Sequence, residues 1–137
     1  MHTRFHLAEE GGLAEHSFNV YENALKIANG LGYPISSFRN SIVIVSLLHD
    51  LGKMGQFGKA NYVPNMLKGR ATKANPDPAP KQSEVQPYKS NPDLMYVDHE
   101  VRSVAITSKF IDLAEEEQQA ILCITDCMDI QIRNSGK

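Results

Sequence analysis

Apolar side chains in the first third of the chain recur with the period of a helix. Between residues 13 and 31, an apolar side chain or an imidazole occupies every third or fourth position, as on one face of an amphipathic helix. This stripe consists of Leu13, His16, Val20, Ala24, Ile27 and Leu31. Glycines flank the stripe at both ends, where they commonly bound helices. The pattern predicts a helix with His16 on its inward face.

A second apolar segment, Ser41 to Leu48, is ambiguous from its own pattern. Its run of β-branched residues from Ile42 to Val45 is as typical of a buried strand as of a buried helix. Gly52 and Gly55 end the segment in either case.

Helical spacing returns after Asp98. Val101, Val104 and Ile111 form one apolar stripe. The acidic run from Glu115 to Glu117 predicts the first turn of a further helix, where carboxylates favour the positive end of the helix dipole. Cys123 and Cys127 share a face of that helix, and we expect two reduced, core-facing side chains rather than a disulfide.

An insertion at about residues 55–92 differs from the rest of the chain in its proline content and its charge. Six of the seven prolines lie in this segment, with six basic against two acidic side chains, a local charge of +4. Loops this long inside a domain are usually functional or disordered, so both a substrate-covering lid and a solvated, mobile insertion remain open. The parts Asn61 to Leu67 and Val85 to Tyr88 are candidates for a short hairpin.

Bulk composition predicts an ordinary globular protein. The 137 residues, 42% hydrophobic and 22% charged, are consistent with one domain over residues 1–137. A net charge of −2 gives no global argument for nucleic acid as a partner. Apolar runs are too short for a membrane span, and the N-terminus lacks a signal-peptide core. We expect a cytoplasmic protein, and an oligomeric assembly stays open.

The sequence His49-Asp50-Leu51-Gly52-Lys53 carries the most chemical information. An imidazole and a carboxylate on adjacent residues can hold one divalent cation, and Lys53 can meet a phosphate. A lone buried histidine is more often a hydrogen-bonded core residue than a metal ligand. The Asp that follows His49, and the Gly-Lys beyond it, favour the metal.

These motifs resemble the HD superfamily of metal-dependent phosphohydrolases. The resemblance rests on Glu15-His16-Ser17, on His49 to Lys53 and on His99. The stretch from Thr3 to Ser17 is especially similar to small bacterial and phage HD-domain proteins. The resemblance implies an all-α fold, a helical bundle with a long Pro-rich basic insertion loop, and it makes Ser41 to Leu48 a helix.

The resemblance also implies a ligand set. His16, His49 and Asp50 would bind a divalent transition metal, namely Mn, Fe, Co, Ni or Zn, with Mg as a further option. Asp50 would also orient a metal-bound water, and Lys53 would neutralise a phosphate oxygen. His99 would bind a second metal or donate a proton to the leaving group. The alternative for Lys53 is a cation that only stabilises a helix end.

Two residues complete the predicted site. Arg4 would clamp a phosphate oxygen, or it is plain surface. Family members of this kind close the site with a later Asp on a further helix, and this chain is short for the family at that end. We assign that role to Asp129, with Asp126, a water molecule or a degenerate site as the alternatives.

The predicted function is hydrolysis of a phosphomonoester or phosphodiester, with a phosphorylated small molecule of nucleotide type as substrate. The alternative is a catalytically impaired HD domain that binds a nucleotide or a partner protein. Binding of single-stranded nucleic acid by the basic insertion ranks last. Its aromatic residues near the positive charges, Tyr62 and Tyr88, are too few for a stacking platform.

Overall fold

Four helices form the frame of the domain. The computed structural model describes residues 11–134, with side chains described as far as residue 124. About half of the described residues are helical. The four α-helices are α1 (Gly12–Gly30), α2 (Ile35–Leu48), α3 (His99–Thr107) and α4 (Glu115–Asn134), and a short 3₁₀ helix (Leu51–Met54) follows α2. The first helix packs on α2, α3 packs on the 3₁₀ helix, and α4 packs against both α2 and α3.

The turn between α1 and α2 is set by a glycine. Gly32 has a φ of 74°, which side chains with a Cβ rarely adopt. Its N–H donates to the carbonyl of Asn29 at 3.1 Å, and the N–H of Tyr33 donates to Ala28 at 3.0 Å. This hydrogen-bond pair is the Schellman arrangement that ends a helix. It sends the chain directly into α2.

The start of α4 is fixed by a buried carboxylate. The side chain of Glu117 accepts the backbone N–H of Ala114 at 3.0 Å, and it also accepts the hydroxyl of Ser41 at 2.7 Å. The first bond satisfies a donor that the helix start leaves unpaired. The second ties α4 to α2. The acidic first turn predicted at Glu115 to Glu117 is therefore confirmed, and one of its members also joins two helices.

The insertion contains short strands as well as irregular chain. Strands β1 (Gly55–Gln56) and β2 (Lys59–Ala60), β3 (Tyr62–Pro64) and β6 (Tyr88–Ser90), and β4 (Met66–Leu67) and β5 (Lys81–Gln82) form three antiparallel pairs. In the second pair Tyr62 lies opposite Ser90 and Pro64 opposite Tyr88. The prediction of an all-α fold with a possible short hairpin is therefore confirmed for the helical frame and needs correction in the insertion, where three short strand pairs form. The predicted hairpin partner Val85 to Tyr88 is also shifted toward the N-terminus. The strand that pairs with Tyr62–Pro64 is Tyr88–Ser90.

Helix α2 confirms the helical assignment of Ser41 to Leu48. Residues 41–45 are all half-buried, on every side of the helix, since α1 and α4 both pack on it. A helix covered on several sides can be apolar all round, and this explains why its pattern was ambiguous.

Several side chains predicted to face the core do not. Ile27 and Leu31 at the end of α1 are 61% and 69% exposed, and Val101 on α3 is 50% exposed. Cys123 is exposed as well, and the side chain of Cys127 lies outside the described residues. The buried face of α3 is instead polar, formed by Arg102, Ser103 and Thr107. Hydrophobic periodicity cannot find such a face.

None of the described helices combines the length and the apolar character that a bilayer crossing requires.

Candidate metal centre

His49 and Asp50 are buried at the end of α2. They are 4% and 2% exposed, and the backbone N–H of His49 still bonds to the carbonyl of Val45 at 3.0 Å. The Nδ1 atom of His49 lies 2.9 Å from the carbonyl oxygen of Ser46. A carbonyl only accepts, so Nδ1 carries the proton and the lone pair of a neutral ring is at Nε2. That lone pair is the one a metal can use.

Helix α1 brings a second imidazole to the same carboxylate. The Nε2 atoms of His16 and His49 lie 3.4 and 3.6 Å from Oδ2 of Asp50, and the two ring centres are 5.4 Å apart. One ligand atom from each of the three residues falls within 4.8 Å of the others. His16 is half-buried, as its place on the α1 stripe predicted. The structure therefore brings together the three residues that the sequence singled out.

Helix α3 adds a third imidazole on the other oxygen of Asp50. The Nε2 atom of His99 lies 3.2 Å from Oδ1 of Asp50 and 3.4 Å from Oε1 of Glu100. It is buried, yet it makes no hydrogen bond of good geometry within the described part of the chain. A buried ring nitrogen between two carboxylates, without a hydrogen bond, is placed to take a proton or a cation.

Lys53 reaches the carboxylate from the 3₁₀ helix. Its Nζ lies 2.6 Å from Oδ2 of Asp50, and about a third of its side chain is exposed. The lysine side chain is thus partly accessible to solvent. Its location at a helix end also fits the alternative of a dipole-stabilising cation, but its bonded partner is Asp50.

The surrounding charges keep Asp50 ionised. Burial by itself would raise the pKa of the carboxyl group. The close contact with His99 and the hydrogen bond from Lys53, together with the nearby His49, outweigh burial and hold the pKa of Asp50 well below its usual range. The carboxylate is therefore available as an anionic ligand over the whole physiological range.

A close contact between the 3₁₀ helix and α3 positions His99. A Cβ added at Gly52 would overlap the carbonyl oxygen of His99 and lie 2.9 Å from Cβ of Arg102. The N–H of Gly52 donates to Oγ of Ser103 at 2.8 Å, and that hydroxyl donates to the carbonyl of His99 at 2.8 Å. The sequence motif includes Gly52 but gives no indication of this close approach to α3, nor of the role of Ser103. The available signal was the spacing of Ser103, one helical turn after His99.

The donor set fits a divalent transition metal. Two imidazoles and one carboxylate are the mixed nitrogen and oxygen ligands that such ions accept, and the bond from His49 to the Ser46 carbonyl is the orienting contact that metal-bound histidines usually make. His16, His49 and Asp50 are the residues that would hold the ion. Of the remaining predicted site residues, Arg4 lies outside the described residues. Asp129 lies on α4, and its side chain is likewise outside them, as is that of Asp126.

Comparison with known proteins agrees with this geometry. The family model of the HD domain matches residues 13–125, a span that includes every member of the cluster and most of the chain. The chain belongs to the HD-domain family. HD domains are a family of metal-dependent phosphohydrolases that bind divalent metals, so the family and the donor set point to the same class of chemistry. Neither the curated proteins nor the solved structures that were searched gave a match.

Proposed function

We propose that this HD domain hydrolyses a phosphomonoester or phosphodiester of a small molecule, of nucleotide type, in a reaction that depends on a bound transition metal. The observation that carries the proposal is the convergence on one buried carboxylate, Asp50, of three imidazoles and an ammonium group from four separate elements. Structural ion pairs seldom need so many titratable partners, whereas catalytic sites do.

The ligands of the cation would be His16, His49 and Asp50. A bound divalent cation supplies Lewis-acid polarisation of a phosphoryl oxygen and a more acidic water molecule. Mn, Fe, Co, Ni and Zn suit two imidazoles and a carboxylate better than Mg does. Asp129 on α4 is our candidate for a further ligand.

The other residues would act on the substrate. Lys53, which is partly accessible to solvent, would hold a phosphate oxygen by its positive charge. His99 would donate a proton to the leaving oxygen or bind a second cation, since its Nε2 faces the cluster without a hydrogen bond. Arg4 would be a second phosphate clamp. The basic insertion would cover the anionic substrate and exclude water, as active-site lids do.

Turnover of generic substrates tests the proposal. Purified protein would be assayed on p-nitrophenyl phosphate and bis-p-nitrophenyl phosphate with added Mn, Co or Ni. We expect metal-dependent hydrolysis that Asp50→Asn lowers by at least about 100-fold, while the matched change Asp112→Asn at an exposed carboxylate leaves it intact. A folded, metal-loaded protein that hydrolyses neither ester would instead support the impaired HD domain.

A further inference from the structure

A pocket of about 460 Å³ adjoins the metal-ligand cluster. Its walls come from the β3–β6 pair and from residues 91–97, the segment that leads into α3. His99 belongs both to the pocket wall and to the group around Asp50. A ligand in the pocket therefore lies next to the place proposed for the phosphate, and the volume is in the usual range for small-molecule sites.

Large apolar side chains around this pocket are exposed to solvent. Met95 and Tyr96 are each 82% exposed, and both line the pocket with Tyr62 and Pro92. Exposed apolar side chains that cluster at a concave site usually mark a binding surface. Aromatic rings, a thioether and a proline ring offer flat, polarisable faces, which suit a flat ligand ring.

The aromatic wall is held in place before any ligand arrives. The hydroxyl of Tyr96 donates to Oδ1 of Asp98 at 2.9 Å, which favours one direction of the ring. Asp98 is also the main reason why the pKa of Tyr96 is raised. A ring already held in one orientation loses less freedom when it stacks on a ligand.

A buried arginine anchors the same segment to α3. Arg102 is 2% exposed, and it donates to the carbonyl of Met95 at 2.7 Å and to Oε1 of Gln56 at 3.2 Å. Arg102 lies on α3 with His99, so one helix supports both the pocket wall and the imidazole that faces Asp50.

The polar groups of the pocket suit the edge of a heterocycle. Asn61 and Asn91 lie on the wall, and a side-chain amide offers both a donor and an acceptor. The amide of Asn91 is already used, because it donates to the Ala60 carbonyl and accepts the N–H of Asp93. Of these two asparagines, Asn61 is the one whose side-chain amide makes no hydrogen bond within the described part of the chain. Ring faces plus one such edge group match a nucleobase better than a sugar or an alkyl chain.

From these contacts we infer that the pocket between the insertion and the segment leading into α3 binds the nucleobase of the substrate, with stacking by Tyr96 and Tyr62 and an edge contact from Asn61. The inference rests on the proposed function, because it places the non-phosphate part of a nucleotide. It also gives the insertion a role in specificity that is separate from covering the phosphate.

Nucleoside binding without phosphate or metal tests the inference directly. Adenosine, guanosine, cytidine and uridine would be compared with ribose by saturation-transfer NMR, with EDTA present. We expect saturation on the base protons of at least one nucleoside, and none on free ribose. Tyr96→Ala and Tyr62→Leu should each raise the nucleoside Kd at least about fivefold. Tyr33→Ala, at a 60% exposed tyrosine outside the pocket, should leave the Kd unchanged.

Three results would overturn the inference. They are no binding of any nucleoside at millimolar concentration, saturation confined to the sugar, or equal affinities for Tyr96→Ala and Tyr33→Ala. Hydrolysis of p-nitrophenyl phosphate is followed on the same protein preparations, without EDTA and with added Mn, Co or Ni. Hydrolysis without nucleoside binding refutes the pocket and keeps the proposed function. Nucleoside binding without hydrolysis of either generic ester supports the pocket and contradicts the proposed function.

Discussion

The Nζ atom of Lys53 lies 2.6 Å from Oδ2 of Asp50, the same oxygen that is nearest the Nε2 atoms of His16 and His49. The lysine therefore balances part of the charge that the proposed ligand group would offer to a metal. A divalent ion and an ammonium group on one carboxylate repel each other. Metal binding therefore competes with the contact between Lys53 and Asp50. A substrate phosphate that binds Lys53 would reduce the repulsion between the lysine and the metal.

Replacing this lysine separates metal binding from substrate binding. We expect Lys53→Met to bind Mn as tightly as the native protein or a few-fold more tightly, because a repelling charge is removed. Its kcat/KM for a phosphate ester should fall at least about tenfold, since a phosphate contact is lost. Metal titration and steady-state kinetics measure the two effects. Lys26→Met, at an exposed lysine on α1, serves as control. Unchanged turnover in Lys53→Met would show that this lysine only stabilises a helix end.

The close approach at Gly52 predicts a loss of stability. Gly52→Ala would force the 3₁₀ helix away from α3, because its Cβ overlaps the His99 carbonyl. Overpacking of this kind costs about 1–3 kcal/mol, and turnover should also fall as His99 moves from Asp50. Urea unfolding and kinetics measure both. Gly30→Ala is the matched control, since nothing lies within 4 Å of its added Cβ. Equal unfolding free energies in the two variants would refute the contact.

The ionised state of Asp50 predicts a dependence of stability on pH. Its pKa is lower in the folded protein than in the unfolded chain, so the carboxylate adds stability above the unfolded value of about 3.9 and loses it as pH falls toward the folded value. Between pH 5 and pH 3 in EDTA, the native protein should lose about 1 kcal/mol more unfolding free energy than Asp50→Asn. Parallel losses in the two proteins would mean that the folded-state pKa is not lowered.

The basic insertion can be shortened at a defined place. Leu67 and Lys81 are paired across β4 and β5, so an Asn-Gly turn in place of residues 68–80 would close a two-residue hairpin. This change removes Lys68, Arg70 and Lys73 with one acidic residue, Asp77. We expect KM for a nucleotide to rise several-fold, with the unfolding temperature nearly unchanged. An unchanged KM would refute the role as a cover.

Much of the site could be predicted because its residues are close together in the sequence and are of types that indicate metal and phosphate binding. His49 and Asp50 are adjacent, Lys53 follows within one turn, and His16 lies on a stripe whose inward direction the helical period fixes. The resemblance to the HD family then supplied the helical state of α2. No local pattern could supply it, since a segment packed on several sides loses its periodicity.

The parts that escaped prediction depend on contacts between distant segments. Ser103 bonds to Gly52 across 51 positions of the chain, and the pocket wall needs the pairing of β3 with β6. The buried face of α3 is polar, and two of its residues make hydrogen bonds there, Ser103 to Gly52 of the 3₁₀ helix and Arg102 to Met95 and Gln56. Hydrophobic spacing predicted the opposite face, around Val101. Such polar contacts leave no period in the sequence.

Cobalt titration measures whether His16, His49 and Asp50 hold a transition metal. Co²⁺ bound to imidazole and carboxylate absorbs visible light, so ligand binding can be followed without any turnover. We expect the cobalt absorption to saturate at about one or two ions per chain, one for each proposed cation position. We also expect the absorption to be lost in His49→Ala and Asp50→Asn but kept in Asp112→Asn. Metal binding by these three residues would be contradicted if the folded native protein gave no cobalt absorption. It would also be contradicted if His49→Ala and Asp50→Asn kept the absorption.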